Sequence, residues 1–269
     1  MNTPEVTHES IVDKRRTLRL RRSSLLKLDM EGLDKPSIKI AETLDEYQQA
    51  FRLVHNEYSS VGYIPPCPQH PYHYSHYSLL PETCVFLFKT NLTVVATLTE
   101  IIDTAQNGLP MDELYRKELD ALRNQGRVVV ELSAFVTSRT QRMRNIMVYM
   151  CNAMFNYSKI NKIDDICIMV NPKHVQFYTQ MFLFEPYGPE RFYEKVQAPA
   201  VPLRVDMREI ENRLRGAYSQ YEFTEDLHLF FCRTNTTLEM LQSGSVSTSK
   251  RSTPREVLDF FGLEPSLPM

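Results

Sequence analysis

One acidic residue interrupts an otherwise apolar stretch, Val128-Val129-Val130-Glu131-Leu132-Ser133-Ala134-Phe135-Val136, and the chain then enters Thr-Ser-Arg-Thr-Gln-Arg-Met-Arg-Asn (137–145) without a glycine. Desolvation penalises a carboxylate's charged form, so Glu131 among such neighbours is expected to have a pKa raised toward neutrality. There it is usable as a general base, directly or through a water. The plainer alternative is a carboxylate on a solvated strand face, or one paired with an arginine. Strand alternation places Glu131, Ser133 and Phe135 on one face and Leu132, Ala134 and Val136 on the other. The loop carries Arg139, Arg142 and Arg144, with Gln141 and Asn145 beside them. Such donors can hold a phosphate or the carboxylates of an acidic partner through charge-assisted hydrogen bonds, unless the loop is merely solvated.

A second constellation, Cys67, His70, His73 and His76, recurs at steps of three. A zinc site needs four converging ligands, and steps of three suit neither a strand nor an α-helix. The prolines nearby break both, so residues 63–82 read as a Tyr/His-rich lid over a site and no metal is expected. The five cysteines are scattered and odd in number, against a disulfide framework and for a reducing compartment. No apolar run reaches the roughly 18 residues of a membrane span, and residues 1–16 lack a secretory apolar core, so the expected location is cytoplasmic. A net charge of -2 over 269 residues gives no global case for nucleic-acid binding.

These residues need a scaffold. Residues 1–36 form a basic arm in which Lys14, Arg15, Arg16, Arg19, Arg21 and Arg22 alternate with leucines. It reads as a solvated tail or as a peripheral contact for an anionic membrane surface. The domain proper is expected over 37–207. A strand near 37–42 is followed by a helix that Thr43 and Glu46 cap reciprocally, then by a hairpin of strands turning at Thr90-Asn91. Residues 109–126 read as a charged surface helix ended by Gly126. The strand of Glu131 comes next, then a helix with one apolar face over 146–157, a buried strand at 164–170 and a short helix opened by Asn171-Pro172. Two last strands lie at 182–188 and 198–207. Residues 208–269 read as a helical extension with a Ser/Thr-rich linker, in which Thr253 and Glu256 form a second capping box before an apolar final helix.

The order strand, basic loop, helix, strand, Asn171-Pro172, Phe177-Tyr178 and Phe184-Glu185-Pro186 resembles the acyltransferase superfamily that includes the Gcn5-related N-acetyltransferases (GNAT). Within it, residues 62–66, 109–122, 131–136, 170–178, 184–188 and 198–207 are similar to the long-chain N-acyl amino acid synthases. The resemblance implies an α/β, GNAT-like fold, a mixed twisted sheet of about six or seven strands flanked by helices and splayed between the strands of Glu131 and Cys167. It implies transfer of a medium- or long-chain fatty acyl group from a thioester to the amino group of an amino acid, with no permanently bound cofactor. Glu131 is then the base and Tyr178 the acid for the departing thiolate. Ser133, Phe135, Val136 and Thr137 line the donor's pantetheine arm, and Tyr58 and Tyr63 the acceptor pocket.

Two departures from related patterns are informative. Ala134 stands where homoserine-lactone synthases have an arginine, and Val54 where a loose alignment gives them a second, which argues against lactone synthesis. Coenzyme A-dependent members cradle the pyrophosphate with glycines at the positions of Arg144 and Ile146. Their loss favours acyl carrier protein over acyl-coenzyme A, with Arg139, Gln141, Arg142, Arg144 and Asn145 holding the phosphopantetheine phosphate and the carrier. The alternatives are a coenzyme A-dependent acetyltransferase of small amines and a non-catalytic relative that binds lipid or carrier protein.

Overall fold

The computed structural model describes residues 36–139, 146–218, 227–232 and 253–262. The basic arm, the loop residues Gln141, Arg142, Arg144 and Asn145, and the Ser/Thr-rich linker lie outside the described residues. Eight strands form the sheet: β1 (Pro36–Ile40), β2 (Cys84–Thr90), β3 (Thr93–Ile102), β4 (Val129–Thr137), β5 (Asp165–Val170), β6 (Glu185–Pro186), β7 (Arg191–Tyr193) and β8 (Ala198–Asp206). Their order is β1-β2-β3-β4-β5-β8-β6, with β7 paired to β8, and only β4 and β5 run parallel. The extra strand is β7, whose three residues Arg191-Phe192-Tyr193 are too few to show a period of two.

Helices cover both faces. Alternation along β2 sends Phe86 and Phe88 into one core with α3 (Ile146–Ile160), and Val85 and Leu87 into another with α1 (Leu44–Ser60). A third cluster joins Ile101 and Val129 to Tyr115, Leu119 and Leu122 of α2 (Asp112–Arg123). The charged pattern of α2 therefore describes only its outer side: Tyr115 and Leu119 are fully buried, and α2 roofs the sheet beside Glu131. A parallel pair needs a crossover, and α3 supplies it between β4 and β5. Asn171 accepts from the Lys173 N–H and Pro172 opens α4 (Pro172–Met181), which packs on β8.

Two caps differ from their sequence patterns. Thr43 Oγ1 accepts from the Glu46 N–H at 3.3 Å, but the Glu46 carboxylate takes the N–H of Glu42 and the Lys89 ammonium instead of closing the box. The second box does not form. Thr253 donates to the carbonyl of Leu79 at 3.0 Å, and Glu256 accepts the Leu44 N–H, because tertiary partners outbid the local ones. That last helix, α7 (Arg255–Phe261), buries Val257 and Phe261 against α1. The helices α5 (Ile210–Tyr218) and α6 (Leu227–Cys232) likewise join the sheet's main core through Ile210, Leu214, Phe230 and Phe231.

Among the described residues, two carboxyls are buried without a cation beside them. Glu100 and Glu131 are both pushed up to about 8, mainly by burial. Ser158 donates to Glu100 at 2.9 Å and partly opposes that shift. Folding therefore takes up protons at both sites, so their contribution to stability is full below the unfolded carboxyl pKa and is lost as pH rises toward about 8. Glu100→Gln is expected to remove about half of that decline, because Glu131 supplies the other half. Urea denaturation of wild type and variant at a series of pH values checks this, and parallel curves would contradict it.

Candidate active site

β4 and β5 are hydrogen-bonded only from Val129–Asp165 to Leu132–Ile168, with Glu131 opposite Cys167. Beyond that rung β4 continues to Thr137 and β5 to Val170 with no pairing between them. The closed end of this V is pinned by charge. Asp165, fully buried, binds Arg127 and, at 2.6 Å, Arg204, and Asp206 pairs with both arginines. Buried ion pairs of this multiplicity fix register. They hold one end of the strands while the other end opens.

The opposite edge of β4 carries a bulge. Thr99 pairs with Ser133 and Thr97 with Val136, so Ala134 and Phe135 together face one residue of β3, and Ala134 adopts φ 51°. A left-handed alanine is strained by about 1–2 kcal/mol. The bulge also resets the alternation. Val136 shares the face of Ser133 and Glu131 through its partner Thr97, whereas Phe135 packs into the α3 core. The expectation that Phe135 lies with Glu131 and Val136 opposite is thereby reversed, and Val136 is buried away from the cavity described next.

A cavity of about 1350 Å³ is lined by side chains from both faces of β4, Glu131 and Ser133 from one and Leu132 from the other, so it passes through the sheet at the splay. On the Glu131 side it is polar, bounded by Tyr58, Tyr63, His73, Tyr77, Arg116 and Lys195. On the α3 side it is apolar, bounded by Met154, Ile168, Phe182, Leu214 and Phe231. Thr137, Ala134 and Phe135 line the passage between. Where the pairing stops, the backbone groups of β4 and β5 that face each other across the splay have no partner strand and are open to a ligand.

Glu131 is almost wholly withdrawn from solvent, yet among the described residues its carboxyl has a single donor, the Met111 N–H at 2.8 Å. Burial raises its pKa to about 8, the Met111 N–H opposes the rise, and the charge of nearby Asp112 adds to it. Asp112 itself is neutralised by Arg123, which also binds Asp103 and Asp120. This network holds the segment before α2 and with it the Met111 N–H. The arginine pairing considered for Glu131 does not occur among the described residues.

Tyr178 lies in the cavity wall, its ring 6.2 Å from Phe182 and 5.9 Å from Phe184. Burial raises its pKa, with the Cys151 thiol and Tyr58 hydroxyl as ionisable neighbours. Tyr58 is itself pushed up to about 12 by burial, and it packs edge-on against Tyr63 at 5.7 Å. The lid residues disperse: the Cys67 N–H donates to His55, His70 is exposed, His73 packs on Tyr58 and His76 on Tyr77. Burial, and to a lesser extent the nearby His55, lowers the His73 pKa. Among the described residues no His, Cys, Asp and Glu group is arranged to hold a metal.

Arg139 donates to Glu57 at 2.9 Å, which spends part of the loop's charge on the end of α1. Ile146, at a glycine position of the coenzyme A cradle, is 2% exposed and packed in the main core. Sequence reasoning missed Arg116, Tyr193 and Lys195 at the polar end. Lys195 is paired with Glu113 at 2.5 Å, whereas Arg116 makes no ion pair among the described residues. Nothing local marks them: Arg116 reads as part of the solvated face of α2, and Tyr193 and Lys195 lie at the end of a three-residue strand and in the short turn after it. No helix among the described residues is long and apolar enough to cross a membrane.

A family model described as N-acyl amino acid synthase FeeM matches residues 49–206. The solved structure of FeeM, an N-acyl amino acid synthase from uncultured soil microbes, is 25% identical with a TM-score of 0.59, the match covering 66% of this chain and 95% of that one. BjaI, a coenzyme A-dependent acyl-homoserine lactone synthase solved with SAM and isopentyl-CoA, shares the fold at 15% identity and a TM-score of 0.51, covering 82% and 95%. TofI, in a ternary complex with an inhibitor and MTA, also does so, at 11% identity and a TM-score of 0.51, covering 64% and 91%. No curated protein gave a significant match. The splayed parallel pair, the cavity through it and the match over more than half the chain place this protein in the N-acyl amino acid synthase FeeM family, as an N-acyltransferase of GNAT-like fold.

Proposed function

We propose that this N-acyltransferase moves a medium- or long-chain fatty acyl group from acyl carrier protein to the amino group of an amino acid. The observation that carries the reading is the position of Glu131, a buried carboxyl with one donor, where a polar chamber opens into an apolar one between splayed strands. The thioester lies in the splay with its chain on the α3 side. Glu131 takes a proton from the acceptor's ammonium, and the freed nitrogen attacks the thioester carbonyl. Backbone N–H groups at the open edge of β4 stabilise the oxyanion, the nitrogen gives up its second proton to solvent, and the C–S bond then breaks to leave the neutral amide and the thiolate.

Tyr178, in the wall of the cavity, is the donor assigned to the leaving sulfur in this arrangement. Its pKa, raised by burial above the tyrosine value of about 10, exceeds the roughly 8.5 of a thiol, so it stabilises the thiolate by a hydrogen bond and full protonation comes from solvent. Tyr178→Phe should accordingly slow turnover only several-fold. Arg116 favours an amino acid over a simple amine, because a guanidinium that lines the acceptor chamber and is in no ion pair among the described residues matches an α-carboxylate.

Core-locked Ile146 supports carrier protein as donor, since a backbone cradle for pyrophosphate needs glycine there. Docking through Arg139, Arg142 and Arg144 is electrostatic and weakens with salt. The test is the initial rate with acyl carrier protein and the matching acyl-coenzyme A at low and high ionic strength, for wild type and the triple alanine variant. A preference for the carrier that shrinks with salt, and a carrier KM raised more than kcat is lowered in the variant, are expected. Acyl-coenzyme A as the better donor in both salts, with the variant unchanged, contradicts the donor assignment.

A further inference from the structure

The far end of the apolar chamber is not built by the family-matched segment, which ends at residue 206. Ile210 and Leu214 of α5 and Phe231 of α6 close it. From Tyr178 the rings step inward: Phe182 is 6.2 Å away, Phe231 a further 6.1 Å from Phe182, and Phe155 5.3 Å from Phe231. Phe231 and Leu214 are 4% and 2% exposed, so neither swings out to water to admit a longer ligand.

The placement of Phe231 has its own polar anchor. Asn152 is fully buried on α3, and its amide donates to the Phe230 carbonyl at 2.8 Å. A buried amide destabilises unless it is bonded, so this bond fixes where α6 meets α3 more sharply than ring packing would. The Phe230 ring stacks edge-on with Tyr149 at 5.2 Å, and Phe231 turns toward the chamber.

We propose that α5 and α6 form the end wall of the acyl chamber, and that Phe231 and Leu214 set the longest acyl chain the enzyme accepts. The inference rests on the reading of that chamber as the acyl site. Each methylene that finds buried room strengthens binding about fourfold. A methylene too many must displace a packed ring or hold the thioester short of Glu131. Preference should therefore climb gradually with chain length and fall abruptly past its maximum.

The test is calorimetric binding of S-alkyl pantetheine thioethers, from hexyl to octadecyl, to the full-length protein and to Phe231→Leu, Phe231→Ala and Leu214→Phe. Both Phe231 variants should move the maximum to longer chains, by roughly two to four carbons for alanine, which leaves the larger void. Leu214→Phe should move it to shorter ones. Phe231→Leu keeps an apolar side chain in the core and guards against loss of folding, read by circular dichroism. A maximum that stays in place in the folded variants overturns the inference, as does binding independent of length or absent at every length. Thioethers cannot transfer an acyl group, so a shifted maximum in an enzyme that acylates no amino acid leaves the end wall standing and removes the proposed reaction.

Discussion

Replacing Glu131 with glutamine should lower kcat/KM for acyl transfer by about 10²–10⁴, the range for loss of a positioned general base, without lowering the melting temperature. The amide keeps an oxygen for the Met111 N–H, so the segment before α2 stays in place. It also removes a group that must take up a proton when the chain folds at neutral pH, so stability should hold or rise. The wild-type rate carries the matching signature. With its pKa near 8, Glu131 is about one-tenth ionised at pH 7, and log kcat/KM should climb with unit slope before levelling above that pKa. The glutamine variant should lose that limb. Initial rates at acceptor concentrations well below KM, which give kcat/KM directly, decide the matter across this range. A variant of wild-type activity, or one that keeps the limb, would move the base elsewhere.

Arg123→Ala should destabilise the fold by roughly 2–3 kcal/mol, less than the ~3–5 of a fully buried pair because the side chain is 23% exposed. The guanidinium spans Asp103, Asp112 and Asp120, two of which have side chains under 10% exposed. Burial alone would raise the Asp112 pKa, and the Arg123 guanidinium with the Leu109 N–H holds it below the usual carboxylate range instead. Removing Arg123 leaves that charge unmatched beside Glu131. The pH limb of activity should therefore shift to alkaline pH along with the loss of stability. Asp112→Asn in the same background should restore part of both, since the uncompensated charge is then gone. Urea denaturation of the two single variants and the double variant measures the coupling, and strict additivity would show that the two side chains act apart.

The strand of Glu131 was legible because a lone acid inside a β-branched run has few structural uses. The Asn171-Pro172 start of α4 was legible because both residues act within their own turn. The face of Val136 was not, because the bulge that moves it sits at Ala134, and no glycine marks that left-handed backbone. Thr253 misled for the converse reason: a serviceable local cap was taken by carbonyls 173 and 174 residues away. Arg116 and Phe231 belong to the same class: each lines the cavity because of what the fold places opposite it, which neither charge nor period reveals.

The last described helix has a bearing on how the enzyme is made. Phe261 packs on Phe51 and Tyr74 at 5.2 and 4.6 Å, and its carbonyl takes the Tyr74 hydroxyl, so α7 fastens the segment that walls the polar chamber. Translation delivers α1 and that wall some two hundred residues before α7, at roughly 5–20 residues per second. The sheet is complete only when β8 ends at Asp206, about fifty residues before α7, and from then until α7 emerges a nascent chain can hold the whole sheet and Glu131 with Phe51 and Tyr74 uncovered by Phe261. Such a chain shows apolar rings that α7 covers in the finished fold, so a chain ended upstream of α7 is expected to aggregate more readily than the whole one.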